Sequence, residues 1–216
     1  MDLFEACEPS LDAEFSSARR ISLDRTSWVD HVPGWLRGSG ALFDELMTTA
    51  AWEQRYRYMW GQRVAEPRLT AEYRDIEDAP QELLRSVVGA LTRHYGVDYR
   101  YLWLNLYRTH RDSTSWHGDP IGKVQLTSTV PVLSLGAARR FLIRPAEGGK
   151  SVALTVAAGD LIVMGGRSQR DWRHSVPKQA TPAGPRISVN FAPHLAYRSE
   201  CGSDGAGPSP TPGCER

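Results

Sequence analysis

The alternation of apolar and polar positions changes period once along the chain, near residue 99. Before that point two stretches carry the helical period. In GSGALFDELMTTAAWEQ, Leu42, Phe43, Leu46 and Met47 share one face and Ser39 stands where a cap is needed. In DAPQELLRSVVGALTRHYG, Leu83, Leu84, Val87, Val88 and Leu91 form a stripe. Asp78 with Gln81 reads as a capping box, and Gly96 ends the helix. From residue 99 the period falls to two. YRYLWLNLYR puts Tyr101, Trp103, Asn105 and Tyr107 on one face. KVQLTSTVPVLSLG, RRFLIRP, SVALTV, DLIVMGG, WRHSVP and RISVNFAP follow, separated by short turns such as AAGD at 157–160. About seven strands with no helix between them predict a mainly β chain with flanking helices (α+β): an antiparallel jelly roll with the helices packed on one outer face.

The ends read differently. YRSECGSDGAGPSPTPGCER is rich in Gly, Ser and Pro and almost free of aliphatics, which predicts a disordered tail over 198–216. The first twenty residues are expected to be loose, leaving one domain over 21–197. A hydrophobic content of 41% is enough for a core, and a net charge of +1 does not announce a polyanion-binding protein. Only three of the 26 basic residues are lysines. Arginine suits bidentate pairing with carboxylate or phosphate, although arginine-rich codon usage gives the same bias. Cys7, Cys201 and Cys214 have no framework spacing, the N-terminus lacks the pattern of a secretory signal, and no stretch is long enough to span a bilayer. Together these predict a cytoplasmic protein, expected to be a monomer with no membrane partner.

The candidate chemistry lies in SWHGDPIGK. On a strand, His117 and Asp119 project to the same side. With His174 from a later strand they make two imidazoles and one carboxylate, the facial triad of non-haem Fe(II) oxygenases, which leaves positions open for O2 and a co-substrate. The same H-x-D also fits a surface turn. Arg186 lies a dozen residues beyond His174 in a β-patterned segment. It is either solvent-facing or the cation that holds the distal carboxylate of a keto-diacid. Asn105 and Tyr107 are neutral donors for the same carboxylate, or a buried polar pair satisfied by backbone.

NLYRTHRDSTSWHGD, VPVLSLGAARRFLIRP, AAGDLIVMGGRSQRDWRHSVPK and GPRISVNF together resemble the AlkB family of Fe(II)/2-oxoglutarate dioxygenases, and EPRLTAEYRD resembles that family's lid. The likeness covers roughly residues 28–194. It implies a double-stranded β-helix and oxidative removal of N-alkyl groups from nucleobases in DNA or RNA, with release of formaldehyde, succinate and CO2. It implies Fe(II) held by His117, Asp119 and His174, O2 as oxidant, and 2-oxoglutarate held by Asn105, Tyr107 and Arg186. A flipped-out base would stack near His117 under a lid aromatic, Tyr73 first and Trp60 second, with Arg68 and Trp116 as further substrate-side residues. Arg55, Arg57, Arg63, Arg68 and Arg74, interleaved with aromatics, would meet phosphates of single-stranded nucleic acid. They also fit a solvated face.

Three positions depart from the family's pattern. Ser188 stands in place of an asparagine facing the keto acid, and Ala192 in place of a second arginine. An arginine restored at 192 is expected to tighten the co-substrate. Ile121 stands where many relatives read an exocyclic amine with an acid, which leaves open a small metabolite or natural product as the substrate.

Overall fold

The computed structural model describes residues 8–193. Fourteen strands run in chain order: β1 Ser10–Leu11, β2 Arg19–Ser22, β3 Ser27–Val32, β4 Leu36–Arg37, β5 Glu53–Met59, β6 Gln62–Tyr73, β7 Tyr101–Tyr107, β8 Thr114–His117, β9 Ser128–Gly136, β10 Arg139–Pro145, β11 Val152–Val156, β12 Leu161–Gly166, β13 Trp172–Val176 and β14 Arg186–Ala192. The helices are α1 Gly40–Thr49, α2 Glu82–Tyr95 and two single turns, α3 Ile121–Val124 and α4 Ser168–Asp171. Among the described residues no helix is long and apolar enough to cross a membrane.

Twelve of the strands form two facing sheets, one of eight (β2-β3-β12-β9-β14-β7-β6-β5) and one of four (β11-β10-β13-β8); β1 and β4 make a separate two-stranded sheet, and every pairing is antiparallel. This is the jelly roll that the period-two pattern predicts. Alternation on the large sheet separates two cores. Leu102, Leu104 and Leu106 of β7 and Ile187, Val189 and Phe191 of β14 face outward, against Leu42 and Leu46 of α1 and Leu84, Val87 and Leu91 of α2. The opposite faces look at the small sheet, where Val130, Val132, Phe141, Ile143 and Met164 make an inner cluster. The two long helices, α1 and α2, lie on one outer face, as expected.

Two local readings change. Asp78 does not cap α2, whose N-cap is Gln81. It closes a three-residue 3-10 turn, Ile76–Asp78, in a capping box with Asp75. The chain before residue 21 is not loose over 8–20: β1 pairs with β4, and Phe15 is buried against Trp35 and stacked on His94. Phe15 finds a place at the end of α2 and Leu11 packs against the same core, which a low average hydrophobicity conceals. The tail expected over 198–216 lies outside the described residues.

Candidate metal centre and keto-acid cleft

His117 ends β8 and His174 is centred in β13, and the two are direct partners across an antiparallel pair. Residues opposite each other in such a ladder project to the same face. Their ring centroids are 4.2 Å apart. Asp119 is not on the strand, because β8 stops at His117 and the chain turns through Gly118. It nonetheless reaches the same point: its Oδ1 lies 3.7 Å from Nε2 of His117 and 3.9 Å from Nε2 of His174. One ligand atom from each residue lies within 4.8 Å of the others.

The protonation chemistry fits a dication. Nδ1 of His117 is 2.8 Å from the carbonyl oxygen of Ser115, so Nδ1 donates there and Nε2 is the nitrogen presented to Asp119. Burial pushes the His174 pKa well down, aided by the neighbouring charges of His117 and Arg173, and so keeps that imidazole neutral. Burial pushes the Asp119 carboxyl up, with His117 partly offsetting it. A desolvated carboxylate facing two imidazole nitrogens is a donor set that a divalent ion satisfies.

The three residues line a cleft of about 250 Å³ between the sheets, and Arg186 lies in its wall. Arg186 opens β14 opposite Tyr107 and is 1% exposed. Its Nε donates to Oγ of Ser134 at 2.9 Å, whereas its Nη1 has no partner. Burial draws its pKa below the ordinary value, but an arginine starts too high to lose its proton. A buried cation with a donor to spare costs several kcal/mol until an anion meets it, so this position suits the far carboxylate of a keto-diacid. The guanidiniums of Arg186 and Arg139 lie 5.2 and 5.4 Å from the centroid of the Tyr107 ring. Its hydroxyl pairs with that of Thr114 at 2.8 Å.

Asn105 and Ser188 are partners in the β7–β14 ladder and both face the cleft. Nδ2 of Asn105 donates to Oγ of Ser188 at 3.2 Å, and its Oδ1 accepts from Nε of Arg68 at 3.0 Å. Arg68 also pairs with the buried Glu66 at 2.7 Å, and Arg57 pairs with the same carboxylate. Arg68 therefore lines the cleft and fastens the β5–β6 hairpin to its wall.

Three expected substrate-side aromatics do not line the cleft. Tyr73 shares its face of β6 with Leu69 and Ala71, which look at the helices, and it packs into the outer core. Trp60 sits at the turn of the β5–β6 hairpin with φ 49° and is 91% exposed. Trp116 precedes the inward His117 and so faces outward, beneath the guanidinium of Arg144 at 4.1 Å. The aromatic wall is instead Tyr101 and Trp103, stacked with centroids 6.0 Å apart. Their phase with Asn105 and Tyr107 was the signal that could have found them. Tyr73→Leu is expected to lower thermal stability while leaving both KM values within about twofold of wild type; steady-state kinetics and a melting curve check this.

The departures resolve as follows. Positions 186, 188 and 190 face the cleft in alternation, but Ala192, their next in phase, is buried in the inner cluster beside Tyr101 and does not line the cleft. The expectation that arginine at 192 tightens the co-substrate is therefore reversed. Ala192→Arg is expected to overpack the cluster and cost about 1–3 kcal/mol of stability by denaturant unfolding, with no fall in co-substrate KM. Ile121 opens α3 and is likewise buried in that cluster, so it does not read a substrate.

Residues 36–192 match the family model described as the 2OG-Fe(II) oxygenase superfamily. Human alpha-ketoglutarate-dependent dioxygenase alkB homolog 3 is 30% identical over 195 residues, covering 79% of this chain and 68% of that protein. The chain belongs to the AlkB family of 2OG-Fe(II) oxygenases. Another relative, DNA oxidative demethylase ALKBH2 of Arabidopsis thaliana, is 26% identical over 230 residues, covering 86% of this chain and 72% of that protein. The solved structure of OsALKBH1 superposes with a TM-score of 0.59 at 13% identity, covering 82% of this chain and all of that one, a likeness of fold. As an AlkB-family dioxygenase the protein uses Fe(II), with 2-oxoglutarate and O2 as co-substrates.

Proposed function

We propose that this AlkB-family enzyme oxidatively removes N-alkyl groups from bases of single-stranded DNA or RNA. The observation that carries the reading is one cleft holding three things: the His117, Asp119 and His174 cluster, the buried guanidinium of Arg186 with its Nη1 unpartnered, and a mouth edged by Arg55 and Arg57. The names of the relatives, a DNA oxidative demethylase among them, support the same substrate class.

In this reading His117, Asp119 and His174 hold Fe(II), and Arg186 holds the far carboxylate of 2-oxoglutarate. Bound Fe(II), with 2-oxoglutarate and O2, supplies the oxidation of the alkyl carbon, which leaves the base as formaldehyde while 2-oxoglutarate becomes succinate and CO2. The chain's own part is placement and dryness. Val132, Phe141 and Val176 line the cleft and keep water from its floor. Tyr101 and Trp103 offer a flat apolar wall to a planar base. The β5–β6 hairpin carries Tyr58 and Trp60 exposed beside Arg63, whose guanidinium lies 3.8 Å over the Tyr56 ring. Aromatics among arginines suit stacking with unpaired bases and contact with their phosphates.

The test is formaldehyde release with Fe(II) and 2-oxoglutarate. Methylated single-stranded oligonucleotides are expected to give product in step with succinate. Turnover of methylated small molecules with none on oligonucleotides would overturn the substrate class. Arg63→Gln is expected to flatten the dependence of oligonucleotide affinity on log salt by about one unit of slope; fluorescence anisotropy across a salt series checks it.

A further inference from the structure

Asp119 is held differently from the two histidines beside it. His117 and His174 sit in a strand ladder, whose register fixes where their rings point. Asp119 lies in the turn after β8, and its carboxylate oxygen stands 3.7 and 3.9 Å from the imidazole nitrogens, too far for a hydrogen bond to either. Its backbone must therefore be placed by something outside the ladder.

That something is Gln169, in the single turn α4. The side chain is 3% exposed. Its Oε1 accepts from the backbone N–H of Asp119 at 2.8 Å, in a buried bond. Its Nε2 points to Sδ of Met164 at 3.4 Å, which fixes the direction of the amide. The main chain of Gln169 is engaged as well. A side-chain carbon added at Gly118 or at Gly122 would run into its carbonyl oxygen. The two glycines bracket Asp119 and leave the space that this carbonyl fills. The turn carrying Gln169 leads directly into β13, where His174 lies five positions on. One residue thus couples the loop of Asp119 to the strand of His174 through two separate contacts.

We propose that Gln169 is a positioning residue that sets the Asp119 carboxylate against the two imidazoles, and that it acts on metal affinity without touching the metal. The inference rests on the ligand reading made above. An outer hydrogen-bond partner of this kind is worth roughly tenfold to a hundredfold in metal affinity.

The experiment is titration of the full-length apoprotein with Co(II) as a spectroscopic stand-in for Fe(II), read by visible absorption, for wild type, Gln169→Leu and Gln169→Glu. Leucine keeps the bulk and removes the acceptor; glutamate keeps an acceptor at the same place. Gln169→Leu is expected to bind Co(II) roughly tenfold to a hundredfold more weakly than wild type, with altered band positions. Gln169→Glu is expected to stay within about threefold of wild-type affinity. Wild-type affinity in the folded leucine variant overturns the proposal. So does a glutamate variant that folds but binds as weakly as the leucine variant, or, if the leucine variant does not fold, a glutamate variant more than tenfold weaker than wild type. Failure of the wild type itself to give a site-bound Co(II) spectrum overturns the ligand reading instead, so the two failures are told apart.

Discussion

Asp119→Ala is expected to abolish turnover and to lower metal affinity by more than the hundredfold typical of losing an outer hydrogen-bond partner, while the apoprotein remains folded. The reason is an asymmetry in what the carboxylate does. Without a metal it is a buried acid whose ionised form is disfavoured by desolvation, with only partial relief from His117. Removing it takes away an electrostatic cost and deletes little packing, so the melting temperature of the apoprotein should hold or rise. With a metal the same carboxylate is the one anionic member of the cluster. Wild type should therefore gain stability on addition of Co(II) or Fe(II), in the manner of any ligand that binds only the native state, and the variant should not. Paired melting curves with and without metal check this. A variant that unfolds without metal, or that is still stabilised by it, would show that Asp119 is structural.

Arg186→Met is expected to raise the apparent KM for 2-oxoglutarate by roughly 30-fold to 4000-fold, the range that follows from losing a buried charge pair worth about 2–5 kcal/mol. Methionine fills much of the same volume, and the space it enters is flanked by Tyr107 and the hydroxyl of Ser134. The substitution also removes a buried cation with an unpartnered Nη1, so it should not destabilise the protein free of co-substrate. Arg186→Lys should recover only part of the loss, because an ammonium cannot reproduce a planar fork that engages Ser134 and a carboxylate at once. Steady-state kinetics in 2-oxoglutarate decide it. A KM within threefold of wild type in the methionine variant would place the keto-diacid elsewhere.

The parts of the fold set by strand alternation were legible in the residues. From Tyr101 to Ala192 the period of two marks which side chains look inward, and it brings Asn105, Tyr107, His174, Arg186 and Ser188 into one cleft. What alternation could not give was structure with no buried face of its own. The β5–β6 hairpin is polar and largely exposed along β5, so no apolar repeat announces it. The same limit misplaced the lid aromatics. Tyr73 and Trp60 are close in sequence to the cleft-lining Arg68 and Thr70, but phase along β6 turns Tyr73 to the helices, and the turn carries Trp60 into solvent. Trp116 fails by one residue of register beside His117. Asp119 reached the right place by another route, a turn at Gly118 instead of a strand. Gln169 was invisible for a related reason. Its role depends on two glycines fifty residues away and on a buried amide, and neither leaves a periodic trace.

The measurement closest to the central claim is an anaerobic titration of the apoprotein with Fe(II) and then 2-oxoglutarate, following the visible charge-transfer absorption of a keto acid chelated to ferrous iron. Wild type is expected to develop that band to one equivalent of each, Asp119→Ala to show none, and Arg186→Met to require much more 2-oxoglutarate. A wild-type protein that never develops the band, or an Asp119→Ala variant that develops it in full, would contradict the assignment of His117, Asp119 and His174 as the iron site.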